Sequence, residues 1–175
     1  MRKIAICLIL CCCLLFTACD AALLGDALDA VQNPNQEKSF TNAGATLKLT
    51  TSFLDFTNTS QNSEYNFMYA SDTIGILGIQ ENKEELFDAF GTMDLEGYAN
   101  LIAELYEIDA TAENKNGFWT FSYTTPADGV EQTFVCVFYE TETDFWNVQG
   151  YCESSLYAEN KDALWQYLTS VTFAE

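Results

Sequence analysis

The chain has 175 residues, 26 of them acidic against seven basic, with no histidine and a net charge of −19. Without histidine there is no Ser-His-Asp or Cys-His catalysis and no imidazole metal site, and Arg2 is the only arginine, so no guanidinium fork is left to clamp phosphate or carboxylate. No lysine cluster is available to neutralise a nucleic-acid backbone, and an anionic lipid surface would repel the body of the chain.

Taken in order, the chain opens with Arg2 and Lys3, an apolar run from Ile4 to Phe16, and the small residues Thr17 and Ala18 before Cys19. That run is shorter than the roughly 20 apolar residues a spanning helix needs. Asp20 follows at once. The segment has the charge, apolar core and small-residue exit of a secretory signal. Phe16-Thr17-Ala18-Cys19 resembles the lipobox of bacterial lipoproteins, with Phe16 standing where leucine is commonest. The resemblance implies attachment of diacylglycerol to the Cys19 thiol, cleavage before it, and a protein held through its lipid on the extracytoplasmic face of the cell membrane. An ordinary secretory signal with an incidental Cys19, or an uncleaved anchor, are the alternatives. Cys7, Cys11, Cys12 and Cys13 fall inside the apolar run, where they act as small apolar residues and leave with the signal.

Losing residues 1–18 removes both Arg2 and Lys3 and no acid, leaving five lysines against 26 acidic residues, a side-chain charge of −21. The expected organisation is a signal peptide over 1–18, a lipidated Cys19 with a flexible tether over 19–44, and one domain over 45–175. Leu23, Leu24, Leu28 and Val31 have the spacing of a brief helix within that tether.

Thr46 to Thr50 alternates as a half-buried strand does, and Ser52 to Phe56 continues it as an extended or turning segment. Tyr65–Ala70 and Ile74–Ile79 read as a hairpin around Ser71-Asp72-Thr73, and Gly75 and Gly78 mark close approach of another element. Asn82 caps a helix from Lys83 to Phe90, and Asp94 caps a second, from Leu95 to Tyr106. Leu95, Tyr98, Ala99, Ile102 and Leu105 form the apolar stripe of that second helix. Asn114–Gly117 is a turn. Phe118–Tyr123, Glu131–Tyr139 and Phe145–Cys152 make a three-stranded meander, Tyr157–Leu168 is a helix, and Val171–Phe173 is a short closing strand.

A hairpin and a meander packed with helices make an α+β layer fold. The order of elements resembles the PsbP/Mog1-like domains. The resemblance rests on Leu47 to Phe53, Ile79-Gln80-Glu81, Asp94 to Ala99, Phe145-Trp146 and Ser170 to Phe173. It implies an α/β/α sandwich built on an antiparallel sheet, and carries no catalytic signature.

Few constellations in the folded part point to chemistry. Cys136 and Cys152 are candidates for a disulfide or for two buried thiols. With the hairpin turning at Glu142, Cys136 faces Val148, and a rise of about 3.3 Å per residue puts the thiols out of bridging reach. Glu140, Glu142 and Asp144 crowd one hairpin tip, either as a hard-cation site or as a solvated loop; the missing EF-hand spacing favours the loop. Glu84-Glu85 could supply the two carboxyls of a glycosidase, but adjacent acids are unavoidable at this composition. Trp119, Trp146 and Trp165 fit core anchors better than a ligand groove. The expectation is a non-enzymatic, monomeric accessory protein with no cofactor and no nucleic-acid partner, binding a protein partner at the cell surface. A small-ligand or cation binder and a carboxylate-dependent envelope hydrolase are its rivals.

Overall fold

A computed structural model describes residues 28, 31–58, 64–127 and 129–174, so the signal and Cys19 lie outside the described residues. The strands are β1 (Glu37–Asn42), β2 (Ala45–Thr50), β3 (Leu54–Asp55), β4 (Phe67–Ala70), β5 (Gly75–Asn82), β6 (Glu113–Lys115), β7 (Phe118–Ala127), β8 (Val130–Glu140), β9 (Asp144–Glu153) and β10 (Thr172–Phe173). The helices are α1 (Lys83–Phe90), α2 (Leu95–Leu105) and α3 (Tyr157–Leu168), with a 3₁₀ turn at Ser154–Leu156 before the last.

Seven strands form one antiparallel sheet in the order β3-β4-β5-β9-β8-β7-β6, and β1-β2-β10 form a second. The expected hairpin and meander are joined through β5 and β9, which pair over eight residues from Gly75↔Tyr151 to Asn82↔Asp144. This is the α+β layer fold expected from the order of elements.

Side chains alternate across the large sheet, and each of its faces carries a core. On one face Phe67, Tyr69, Ile76, Val137, Trp146 and Val148 pack under α3, through Leu164 and Leu168, and under Leu47, Leu49 and Phe40 of the small sheet. On the other, Phe121, Cys136, Phe138 and Phe145 pack under Leu86 of α1 and Tyr98, Ala99 and Ile102 of α2. Gly150 lets α3 approach, because a Cβ there would stand 2.7 Å from Leu164. Asn116 and Gly117 both have positive φ, 54° and 91°, as the tight turn between β6 and β7 requires.

Three expectations need correction. The tether does not extend to residue 44: Glu37–Asn42 is a strand paired along its whole length with Ala45–Thr50. Its sequence, Glu-Lys-Ser-Phe-Thr-Asn, buries only Phe40, so pairing rather than hydrophobicity recruits it. The β8–β9 hairpin turns on two central residues instead of one, with Thr141 N donating to Asp144 O at 2.9 Å. Cys136 therefore faces Gln149, not Val148, while Cys152 faces Thr133. A one-residue slip exchanges faces. Cys136 belongs to the core under α2 and Cys152 to the core under α3, both as free thiols with the sheet between them. Finally, Leu105 is exposed rather than part of the buried stripe of α2.

Candidate functional site

The acidic hairpin tip is occupied by the protein itself. Lys83, on the first turn of α1, donates from Nζ to Glu140 Oε1 at 2.7 Å, to Thr141 O at 2.6 Å and to Glu142 O at 3.4 Å. The same ammonium lies 5.0 Å from the centre of the Phe145 ring. Of the three carboxylates only that of Glu140 faces the ammonium, Asp144 Oδ2 accepting instead from Thr143 Oγ1 at 2.6 Å, and no group of three or more metal-ligating side chains occurs among the described residues. Lys83→Met keeps the apolar stem and removes the charge. Its expected cost is about 1–2 kcal/mol, from hydrogen bonds to a charged group that is only 15% exposed, read as a lower urea midpoint at unchanged slope.

Glu84 and Glu85 are exposed on the first turn of α1, where Asn82 Oδ1 accepts from both of their backbone N–H groups at 3.0 and 3.2 Å. Their charges favour the helix N-terminus. Of the tryptophans, Trp146 is fully buried, Trp119 packs half-buried beside the core under α2, and Trp165 carries the Lys115 ammonium 4.3 Å from its ring centre.

The feature that the sequence did not single out is a cleft on the α2 side of the large sheet. Among the described residues α1 and α2 cover the half of this face that holds Phe145 and Phe138. The other half, from Leu77 and Gln149 to Phe134 and Tyr123, is the floor of an open cleft of about 410 Å3. The chain leaves α2 at Tyr106, turns at Glu107 with φ of 53°, and hangs Tyr106 and Ile108 over one side of it. Glu64 and Tyr65, just before β4, form the other side. A second hollow of about 370 Å3 shares Tyr65, Leu77 and Phe134 and continues to Met68, Val130 and Tyr151.

The floor is a row of rings. Tyr123, Phe134 and Tyr151 are cross-strand neighbours on β7, β8 and β9. Their planes are nearly parallel, 9° and 25° apart, with centroids separated by 5.0 and 5.1 Å. That separation exceeds ring thickness, so the rings overlap like shingles. Tyr151 ends the row above Gly75, where a Cβ would stand 2.2 Å from its Cζ. Burial raises the pKa of the Tyr123 phenol, and the nearby Cys136 thiol and the Tyr65 and Tyr106 phenols raise it further. Burial also raises that of Tyr151, with Tyr65 adding to it. Tyr65, Tyr106 and Tyr123 all line this one cleft. Asn147, the residue two before Gln149 on this face, is buried with both side-chain polar atoms unpaired among the described residues. Each such atom costs about 1–3 kcal/mol, a debt carried beside the cleft.

No protein family and no curated protein matches the chain. Solved structures do. A crystal structure from Bacteroides thetaiotaomicron superposes with a TM-score of 0.54 at 10% identity over 80% of this chain, which spans about half (49%) of that one. The solution structure of cyanobacterial PsbP (CyanoP) from Synechocystis sp. PCC 6803 superposes with a TM-score of 0.50 at 7% identity, over 79% of this chain and 92% of that one. The domain has a PsbP-like fold. At such identities the likeness speaks for the backbone alone, and the residues behind the resemblance agree with that. Leu47 and Leu49 on β2, Tyr98 and Ala99 on α2, and Phe145-Trp146 on β9 are core positions, and Asp94 is a helix cap accepting from Gly97 N at 2.9 Å.

Proposed function

We propose that the protein is a lipid-anchored, extracytoplasmic accessory protein whose domain binds a partner through the aromatic cleft without transforming it. The cleft is the observation that carries this reading. It is lined by rings and aliphatic side chains with a single carboxylate, Glu64, whereas hydrolysis by paired carboxyls needs two facing each other across the substrate. An open, largely apolar concavity with a few convergent polar groups is what small-molecule and peptide sites share.

The anchoring part rests on Phe16-Thr17-Ala18-Cys19 and on the distance available. From Cys19 to Asn33, whose carbonyl accepts from Thr51 Oγ1 and so already belongs to the domain, the chain reaches at most about 50 Å, enough to hold the domain clear of lipid headgroups. With a body this acidic, the lipid supplies the membrane affinity, and two acyl chains suffice where one is marginal. Intact mass and membrane partitioning of the protein from its native host test this. The wild-type chain is expected to start at a diacylglyceryl-modified Cys19 and to sediment with membranes; Cys19→Ser is expected to lose the mass shift and appear in the soluble fraction. Unmodified wild-type protein released from cells would overturn the anchor.

A further inference from the structure

The small sheet ends on an open edge. Ala43 and Gly44 have φ of 49° and 83°, the two-residue turn that makes Asn42 and Ala45 a hydrogen-bonded pair. Alternation then directs the backbone groups of Lys38 and Phe40 to β2 as well, and those of Glu37, Ser39 and Thr41 away from it. Two bonds agree with that parity. Thr51 N donates to Gln36 O at 2.8 Å, and Lys48 N, opposite Ser39, turns away from β1 and donates to Ser170 Oγ at 3.0 Å. Glu37, Ser39 and Thr41 are all exposed, and among the described residues no strand or side chain meets their outward N–H and C=O groups.

The other edges are blunted, as native sheets blunt theirs. β3 and β10 have two residues each and β6 three, and the stretch of β7 that runs past β6 carries Pro126, which has no N–H. β1 is six residues long, pairs in unbroken register and contains neither proline nor bulge. The small sheet also holds two of the five lysines of the mature chain, Lys38 and Lys48, and one of its 26 acids, Glu37. Elsewhere two copies of so acidic a chain repel each other; at this sheet they do not.

We propose that β1 pairs antiparallel with β1 of a second copy of this chain, about a two-fold axis at Ser39. That axis is the one that uses every outward group, Ser39 meeting Ser39 and Glu37 meeting Thr41, in about six backbone hydrogen bonds. Lys38 falls opposite Phe40, so no like charges face each other. The two three-stranded sheets become one continuous sheet. A contact between single strands buries less than the roughly 1,200 Å2 of a stable complex, so the pair forms where copies are concentrated. The lipid proposed on Cys19 concentrates them, by confining both to one membrane.

The test is disulfide trapping with a mild oxidant, on cells producing the full chain, read on non-reducing gels. The parent chain is expected to stay monomeric, its Cys136 and Cys152 being buried. Ser39→Cys is expected to move at least about half of the chain to a dimer band, because the two Cα atoms stand about 5.5 Å apart, within bridging range. Thr41→Cys alone should stay monomeric, since its two copies lie roughly 13 Å apart along the strands. Glu37→Cys combined with Thr41→Cys should dimerise again. Adding Ser39→Pro to that pair should abolish the band, because the ring displaces the outward N–H while the bonds to β2 remain. Trapping is read in whichever fraction, membrane or soluble, the protein occupies, so loss of the anchor and loss of the edge contact are told apart. Equal trapping through Ser39→Cys and Thr41→Cys would report random collision and overturn the pairing. So would the absence of a dimer from Ser39→Cys or from the double variant, or a dimer that survives Ser39→Pro.

Discussion

Gly78→Val is expected to destabilise the domain by at least about 3 kcal/mol, the upper part of the range for overpacking a core. Gly78 lies on β5 opposite Phe67 of β4, and the Phe67 ring fills the space a side chain would occupy, with its Cζ 2.2 Å from the position of a Cβ. Phe67 has nowhere to go. It is fully buried, stacked 5.5 Å from Tyr69 and 6.1 Å from Trp146, and those rings in turn support Phe40 and Phe173 of the small sheet, respectively. A valine at 78 must therefore shift either the strand or the aromatic stack beneath the small sheet. The urea midpoint would report the loss, and a midpoint within 0.5 kcal/mol of wild type, as is usual for innocuous surface changes, would contradict the packing argument. Pairing Gly78→Ala with Phe67→Leu should restore part of what Gly78→Ala alone removes, because the two changes share one space. Gly91→Ala is the contrast. Nothing lies within 4 Å of a Cβ there, but φ of 83° with ψ of 163° is a conformation essentially only glycine adopts, so its cost of about 1–3 kcal/mol is backbone strain and not overpacking.

Stability is also expected to collapse in alkali. Tyr69 and Tyr98 are fully buried, and burial raises both phenol pKa values. Asp55 adds to the first, while the charge of Glu81, and the 2.5 Å hydrogen bond that Tyr98 Oη donates to it, add to the second. Burial likewise pushes up the Cys136 thiol. In each case the folded pKa lies above the unfolded one, about 10 for tyrosine and 8.5 for cysteine. The folded state keeps the proton that the unfolded chain releases. Stability is therefore intact below those unfolded values and falls as pH rises through and beyond them. By pH 11 the two tyrosines together withdraw about 3 kcal/mol, and Cys136 about as much again, against a total of roughly 5–15 kcal/mol for a typical domain. Urea midpoints from pH 8 to 11 should fall steeply, and Tyr98→Phe should reduce the slope by close to one proton. A flat profile up to pH 11 would contradict the burial of these groups.

What was legible in the sequence follows from local chemistry. The caps at Asn82 and Asp94, the Asn116-Gly117 turn, the alternation along β2, β8 and β9, and the glycines of β5 each announce themselves within a few residues, because capping, turn geometry and side-chain period act over that distance. Those signals sufficed for the α+β layer fold and the meander. β1 was not legible, because only Phe40 of its six residues is buried and its place is supplied by β2. Nor could the sequence assign Cys136 and Cys152 to opposite faces, since one residue more or less in the β8–β9 turn reverses every side chain beyond it.

The candidate site lies furthest from local reading. Tyr65, Tyr106, Tyr123 and Phe134 come from a strand entrance, a helix exit and two strands, and each alone looks like an ordinary core aromatic. The sequence by itself determined most of the elements, the acidic charge and the absence of a histidine- or arginine-based site, and it is the ground for the lipid proposed on Cys19. Only the tertiary structure decided that two short helices would cover half of a seven-stranded sheet. Helix length is set locally, whereas the width of the sheet is set by pairing among segments up to 76 residues apart, as between Gly75 and Tyr151, and the uncovered remainder becomes the cleft.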